Sequence, residues 1–270
     1  MIVKYEETFK SGYNSITEIK GKHSDMLLDF GILVMEEGDT YTCHLPLERA
    51  FLLIYGEVTF MAESINHKAV RKSFLDEVPQ VLHVSQSIPI KIIAHKQSQI
   101  CVERCENEKS FPSKMYTKND VRSDIFGKGV LNEASNRTVR TVFDGEIAPY
   151  SNMVLGEVIN HPGKWSSYPP HDHPHPEIYH YRIFPSQGFG VSLLDEQAHV
   201  VKHCDTSLIS PNTTHSQVAG AGYAMYYIWM IPHLLHDRWL PTTRYYREEH
   251  KWMLDKDVTI WPEKVYEQLD

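Results

Sequence analysis

The sequence has little of what usually marks a nucleic-acid, membrane or secreted protein. No run of Lys or Arg interrupts it, and 27 basic against 35 acidic side chains leave a formal net charge of −8. A chain of that sign gains nothing from a phosphate backbone, so nucleic acid is not expected as a partner. Long hydrophobic runs are missing too. The longest, Tyr223 to Ile231, is far below the ~20 residues of a spanning helix, and the opening MIVKYEETF lacks the apolar core of a signal peptide. No membrane partner and a cytoplasmic location are therefore expected. Only four cysteines occur (Cys43, Cys101, Cys105 and Cys204), without C-x-x-C spacing and too sparse to staple a secreted fold; they read as reduced thiols. Segments of helical period are also scarce.

Strand-like runs are abundant. Phe51 to Phe60, Ile88 to Ala94, Ile100 to Glu103, Val154 to Ile159, Ile178 to Phe184, Gly190 to Leu194, His199 to His203, Ser207 to Ser210 and Tyr223 to Ile231 are rich in Val, Ile, Phe and Tyr and punctuated by Pro, Gly, Asn and Asp. The length, 270 residues, suggests about two domains. Between the strand-rich halves, 107–152 is polar with Pro112, Gly127, Gly129, Gly145 and Pro149, and reads as a connector. Each half carries a Glu (Glu48, Glu177), a Gly after a strand run (Gly56, Gly188) and an Asp-and-Pro turn before another run, a weak internal duplication. The expected fold is all-β, with two jelly-roll-like β-barrels. An N-terminal barrel spans 1–115, an irregular connector 116–150, a C-terminal barrel 151–235 and a tail 236–270, where Trp261-Pro262 to Leu269 suggests a short helix. A chain this long needs no metal merely to fold, so a metal, if present, serves function.

Histidine is the one residue in excess. There are sixteen, and eight of them fall in 161–215. The sharpest pattern is Pro169-Pro170-His171-Asp172-His173-Pro174-His175-Pro176-Glu177, followed by Pro211-Asn212-Thr213-Thr214-His215. On an extended chain His171, His173 and Glu177 share parity, and His215 at a strand end can join them from a neighbouring strand. Three imidazoles and a carboxylate suit one divalent transition metal, zinc placed first, with manganese, iron, cobalt or nickel also fitting. The prolines stiffen the ligand segment before any ion arrives. The bland counter-reading is a His/Pro-rich surface loop with adventitious metal affinity. His175 reads as exposed or behind the ligands, while His180, of opposite parity to Glu177, reads as outward-facing, as do His199 and His203.

By the same parity Tyr179 and Tyr181 share the cavity with Glu177, able to orient substrate hydroxyls or simply to pack. Arg182 is the natural bidentate partner of a carboxylate, although strict alternation turns it away and favours a salt bridge. Lys164, Tyr168 and Gln187, in a loop and turn at the barrel mouth, are further substrate-binding candidates. In the first half, His44, Glu48 and His83 are the sole imaginable remnants of an equivalent site, and no metal is expected there. No catalytic base can be named.

The motif His171-x-His173-x3-Glu177, with Gly163 before it and Gly188 or Gly190 after it, resembles the first metal-binding motif of the cupin superfamily, and Pro211-x3-His215 resembles the second. Gly156-Glu157-Val158, the tract Pro162 to His171, Glu177-x-Tyr179-x-Tyr181-Arg182 and Pro185-x-Gln187-Gly188-Phe189 look like the 5-deoxy-glucuronate isomerase family of inositol catabolism. The resemblance implies a bicupin with a degenerate first barrel. It also implies a metal-dependent aldose–ketose isomerase converting the anionic sugar acid 5-deoxy-glucuronate to 5-dehydro-2-deoxy-gluconate. The loop between His173 and Glu177 is shorter than in that family, and position 213 holds Thr where Gly is usual. A non-heme iron cupin oxygenase, with the same ligands and open sites for O₂, is the competing enzyme class. A sugar-acid-binding module without turnover is the non-enzymatic one. Exposed barrel edges suggest a homo-oligomer.

Overall fold

Strands buried on both faces read as near-continuous apolar runs rather than alternating ones, and the central strands of this protein are of that kind. In Glu48–Ala62, Phe51 and Leu53 face a cluster with Leu33, Phe60, Leu82 and Ile92, whereas Ala50, Leu52 and Ile54 face the opposite way, into a cluster with Phe30, Tyr226, Ile228 and Met230. In Ala224–Pro232, Tyr226, Ile228 and Met230 join that shared cluster, while Tyr227, Trp229 and Ile231 pack with Val154, Tyr179, Tyr181 and Ile183. The result is three apolar layers, one inside each half and one between them.

The computed structural model describes residues 1–5, 8–255 and 257–261. Among these it has twenty-one strands and three short 3₁₀ helices, and no helix long and apolar enough to cross a membrane. The helix expected from Trp261 to Leu269 lies, apart from Trp261, outside the described residues.

The pairing scheme repeats, antiparallel throughout. In the first half Asp29–Met35 pairs with Ser98–Cys105, which pairs with the start of Glu48–Ala62, which pairs with Val81–Val84. In the second half Met153–Asn160, Ala224–Pro232, Glu177–Phe184 and Thr206–Ile209 follow the same order. The opposing sheets match as well. Thr40–Cys43, Ile90–Ala94, the end of Glu48–Ala62 and Ile65–Arg71 correspond to Trp165–Asp172, His215–Ala219, Gly190–Leu194 and Gln197–Val201.

Two stretches differ from expectation. The supposedly irregular 116–150 contains Arg122–Phe126 and Arg137–Phe143, which extend the large second-half sheet beyond Met153–Asn160. Charge disguised them. Arg140 is buried because it meets Glu157 at 3.4 Å, and Glu157 also takes a bidentate bond from Arg71 at 2.7 and 2.9 Å. Both arginines also donate to carbonyls of 74–77, tying a first-half loop to the second-half sheet. The tail, in turn, is part of the second half, since Tyr245–Tyr246 pairs with His171 and Asp172.

Candidate metal centre and cavity

Cross-strand pairing brings the expected ligands together. Trp165–Asp172 bulges between Ser166 and His171, and beyond the bulge His171 lies opposite His215. Their ring centroids are 4.8 Å apart, and His173 lies 5.3 Å from His215. Glu177 opens the next strand, on the same face as Tyr179. All four side chains are buried.

Each imidazole is oriented by the backbone. His171 Nδ1 donates to the Pro169 carbonyl at 3.2 Å, His173 Nδ1 to that of His175 at 3.0 Å and His215 Nδ1 to that of Thr213 at 3.0 Å. A neutral imidazole with Nδ1–H so engaged presents its Nε2 lone pair, the tautomer a metal needs. Nε2 of His173 and of His215 lie 3.1 and 3.2 Å from Glu177 Oε2, and ligand atoms of these three residues fall within 4.8 Å of one another. Two atoms about 2.0–2.1 Å from one ion, at tetrahedral or octahedral angles, lie about 2.9–3.4 Å apart, so the spacing fits a cation. Among the described residues, Glu177 is the sole polar neighbour of the buried His215 Nε2, and two acceptors so placed are what a cation would satisfy. Burial works to raise the Glu177 pKa, but protons held on the facing imidazole nitrogens in place of a cation outweigh it and keep the carboxyl well below the usual carboxylate range. Burial, reinforced by His215, pushes the His171 pKa well down and keeps that ring neutral. His171 stands beside the three-residue group rather than within it.

The group opens into a cavity of about 310 Å³, small enough to suit a monosaccharide-sized ligand. Its buried liners include His171, His173, Glu177, Asp144, Tyr179, Tyr227, Trp229 and Trp239; Arg122, Asp124, Phe126 and Arg244 are exposed at its mouth. Tyr179 hydrogen-bonds Ser167 at 3.0 Å and Tyr227 bonds Ser166 at 2.8 Å. Burial raises both phenol pKa values, that of Tyr227 to about 12, so both keep their protons at neutral pH. Tyr181 is buried deeper, its hydroxyl donating to Gln217 at 2.7 Å.

Several expected positions need correction. Arg182 is buried on the opposite face, donating to Gln99 at 2.8 Å and bonding His180 at 2.7 Å, so it is remote from the cavity, as alternation required. His180 is not exposed, since its outward face is the layer between the halves, against Phe9 and Phe30. His175 is buried, its Nε2 donating to the Asp237 carbonyl at 2.6 Å, which docks the tail. Lys164, Tyr168 and Gln187 are not among the cavity liners; Tyr168 packs on Trp165 at 5.2 Å, and Gln187 is exposed in the turn after Phe184. In the first half His44 is exposed, whereas Glu48 and His83 form a buried pair at 2.7 Å. Glu48 also accepts bonds from Asn107, Ser151 and the Asn152 amide, a structural hub.

Sequence reasoning missed Tyr227, Trp229, Trp239, Arg137 and Arg244. Alternation within Ala224–Pro232 would have placed Tyr227 and Trp229 on the Tyr179 face. Arg137, Arg244 and Trp239 come from the supposed connector and the tail and carried no local signal.

Relatives agree with this architecture. The chain is 24% identical to a 5-deoxy-glucuronate isomerase of Lacticaseibacillus casei, over 94% of its own length and 97% of that protein. It is 22% identical to the same-named protein of Bacillus subtilis strain 168, over 91% and 95%. Among solved structures, an IolB-like protein from Salmonella typhimurium LT2 superposes with TM-score 0.82 at 18% identity, covering 94% of this chain and 99% of that one. The oxalate decarboxylase of Lactobacillus farciminis reaches 0.59 at 12%, covering 83% and 82%. At such identities these structures establish the fold, an all-β cupin architecture. The KduI/IolB family model matches residues 1–253, through both halves and the tail strand that borders the histidines, and the chain belongs to that family.

Proposed function

We propose that this protein is a metal-dependent sugar-acid isomerase that converts 5-deoxy-glucuronate to its ketose isomer. The observation that carries the proposal is the convergence of two oriented Nε2 lone pairs and an ionised carboxylate at the buried wall of a monosaccharide-sized cavity. His173, Glu177 and His215 would hold the ion, with His171 beside them as the fourth side chain; zinc is placed first, and the donor set also admits manganese, iron, cobalt or nickel. When bound, such an ion supplies Lewis-acid polarisation of a carbonyl and its neighbouring hydroxyl.

The remaining work falls to the chain. Isomerisation moves one proton from the carbinol carbon to the adjacent carbonyl carbon and another between their oxygens, so no external oxidant is consumed. Tyr179 and Tyr227, protonated and anchored by serines, can donate to substrate oxygens as negative charge develops there. Trp229 and Trp239, with ring centroids 5.4 Å apart, wall the cavity and limit water, which strengthens those hydrogen bonds. Glu177 keeps the charge that balances the ion.

The test is turnover of 5-deoxy-glucuronate by the purified protein under argon and under air. Equal rates in both are expected. A requirement for O₂ would transfer the site to the oxygenase class, and inactivity on every uronate despite a filled metal site would overturn the proposal.

A further inference from the structure

We infer that Arg137 and Arg244 form the subsite that binds the carboxylate of the substrate, selecting an anionic sugar acid over a neutral aldose. The inference rests on the reading of the cavity as a uronate site. It starts from a charge that is left over. Among the described residues three arginines and three carboxylates line the cavity. Arg122 is matched with Asp144 at 3.3 Å and Asp124 at 3.5 Å, and Glu177 is engaged by the imidazoles. Arg137 and Arg244 have no carboxylate within ion-pair distance among the described residues. A divalent ion at Glu177 would leave the cavity about two positive charges in excess, within a protein whose formal net charge is −8. Such a focused field draws in an anion.

The two guanidinium groups are placed to serve as one site. Arg137 opens its strand within the large sheet, donates one bond to the Ser135 carbonyl at 2.8 Å and lies 5.6 Å from the Phe126 ring, which orients its planar fork. Among the described residues its other N–H groups have no partner, and they are not sealed in the core. Arg244 precedes the strand pair that borders His171 and lies 5.9 Å from the Trp239 ring. Burial depresses the Arg137 pKa, with Tyr227 opposing it and Arg244 adding to it. Guanidinium forks match a carboxylate bidentately, which a lysine ammonium does not.

The test uses the metal-loaded full chain and two probes, D-glucuronate and D-glucose, which differ by a carboxylate, with binding followed by calorimetry. Wild type is expected to prefer glucuronate. Arg137→Gln and Arg244→Gln should each weaken glucuronate tenfold or more, leave glucose binding and metal content unchanged, and raise KM for 5-deoxy-glucuronate more than they lower kcat. The Arg137→Lys and Arg244→Lys variants, which keep charge without the fork, should fall between, and they serve if a Gln variant does not fold. Unchanged glucuronate affinity in the folded variants, or no preference in wild type, would overturn the subsite. Arginine-dependent glucuronate binding without turnover would instead refute the isomerase reading alone, and turnover with unchanged KM in the variants would refute the subsite alone.

Discussion

At the residue scale, three backbone carbonyls decide the chemistry. By accepting from Nδ1 of His171, His173 and His215 they fix which nitrogen faces the cavity, so the ligand set is organised before an ion binds. This ordering belongs to the strands and turns and does not depend on the ion. His173→Ala is therefore expected to lose the metal by elemental analysis, and activity with it, while calorimetry still records one cooperative unfolding transition. Loss of that transition would mean the ion is structural. Tyr179→Phe keeps the ring packing and removes the hydroxyl, so kcat should drop about tenfold to a hundredfold while metal content stays constant; a hydrogen bond donated only in the transition state is worth that much. These residues were legible because H-x-H-x3-E is a local pattern whose parity survives into the strand. For Arg182 only the face was legible, from alternation; in place of the expected salt bridge it bonds Gln99 and His180. Arg137 and Arg244 were not, because their position comes from sheet extension and tail docking, which no local spacing encodes.

At the element scale, the two halves share one pairing scheme and treat the mouth of the barrel differently. Arg49, on the interior face near the start of Glu48–Ala62, donates to the carbonyls of Cys43, Leu47, Ser85 and Ile88. Glu177 occupies the interior face at the start of the corresponding second-half strand. The first half thus fills the place with the chain's own cation, surrounded by carbonyls, and the second surrounds its place with acceptors. The element that ties the halves together is Glu157 with Arg71, Arg140 and Tyr226. Removing one partner of a buried ion pair costs about 3–5 kcal/mol. Glu157→Ala should lose that much in denaturant unfolding, and loss below about 1 kcal/mol would show the network to be dispensable. The charged strand Arg137–Phe143 escaped the sequence reading because Arg140 is neutralised by Glu157 on the neighbouring strand, a pairing no local spacing encodes.

At the scale of the whole molecule, buried titratable groups set the pH response. His180 is buried between the halves, where burial and then Arg182 hold its pKa well below 6.5. The unfolded chain therefore binds the proton first. Stability from this group is complete above pH 6.5 and is lost as pH falls toward the folded value, so Tm should decline from pH 7 to pH 5. Glu103 acts in the opposite sense. Its carboxyl is buried without a hydrogen-bond partner among the described residues, and burial, then the Glu48 charge, raise its pKa well above 4.5. Its contribution is complete below pH 4.5 and is lost as pH rises. Glu103→Gln should accordingly raise Tm by a few degrees at pH 8 and by much less near pH 4.5; an equal gain at both would contradict the assignment. The fold class was visible in the run of β-branched and aromatic segments. The layer between the halves was not, since a strand buried on both faces shows no periodicity to say which face meets which.

The central claim is that the His/Glu group holds an ion without which the cavity does no chemistry. The most direct measurement strips one preparation with a chelator, confirms metal loss by elemental analysis, and follows the aldehyde proton of 5-deoxy-glucuronate by NMR under argon, before and after one equivalent of divalent metal is restored. Turnover that vanishes with the metal and returns with it is the predicted result. Full turnover by the metal-free protein would contradict the account.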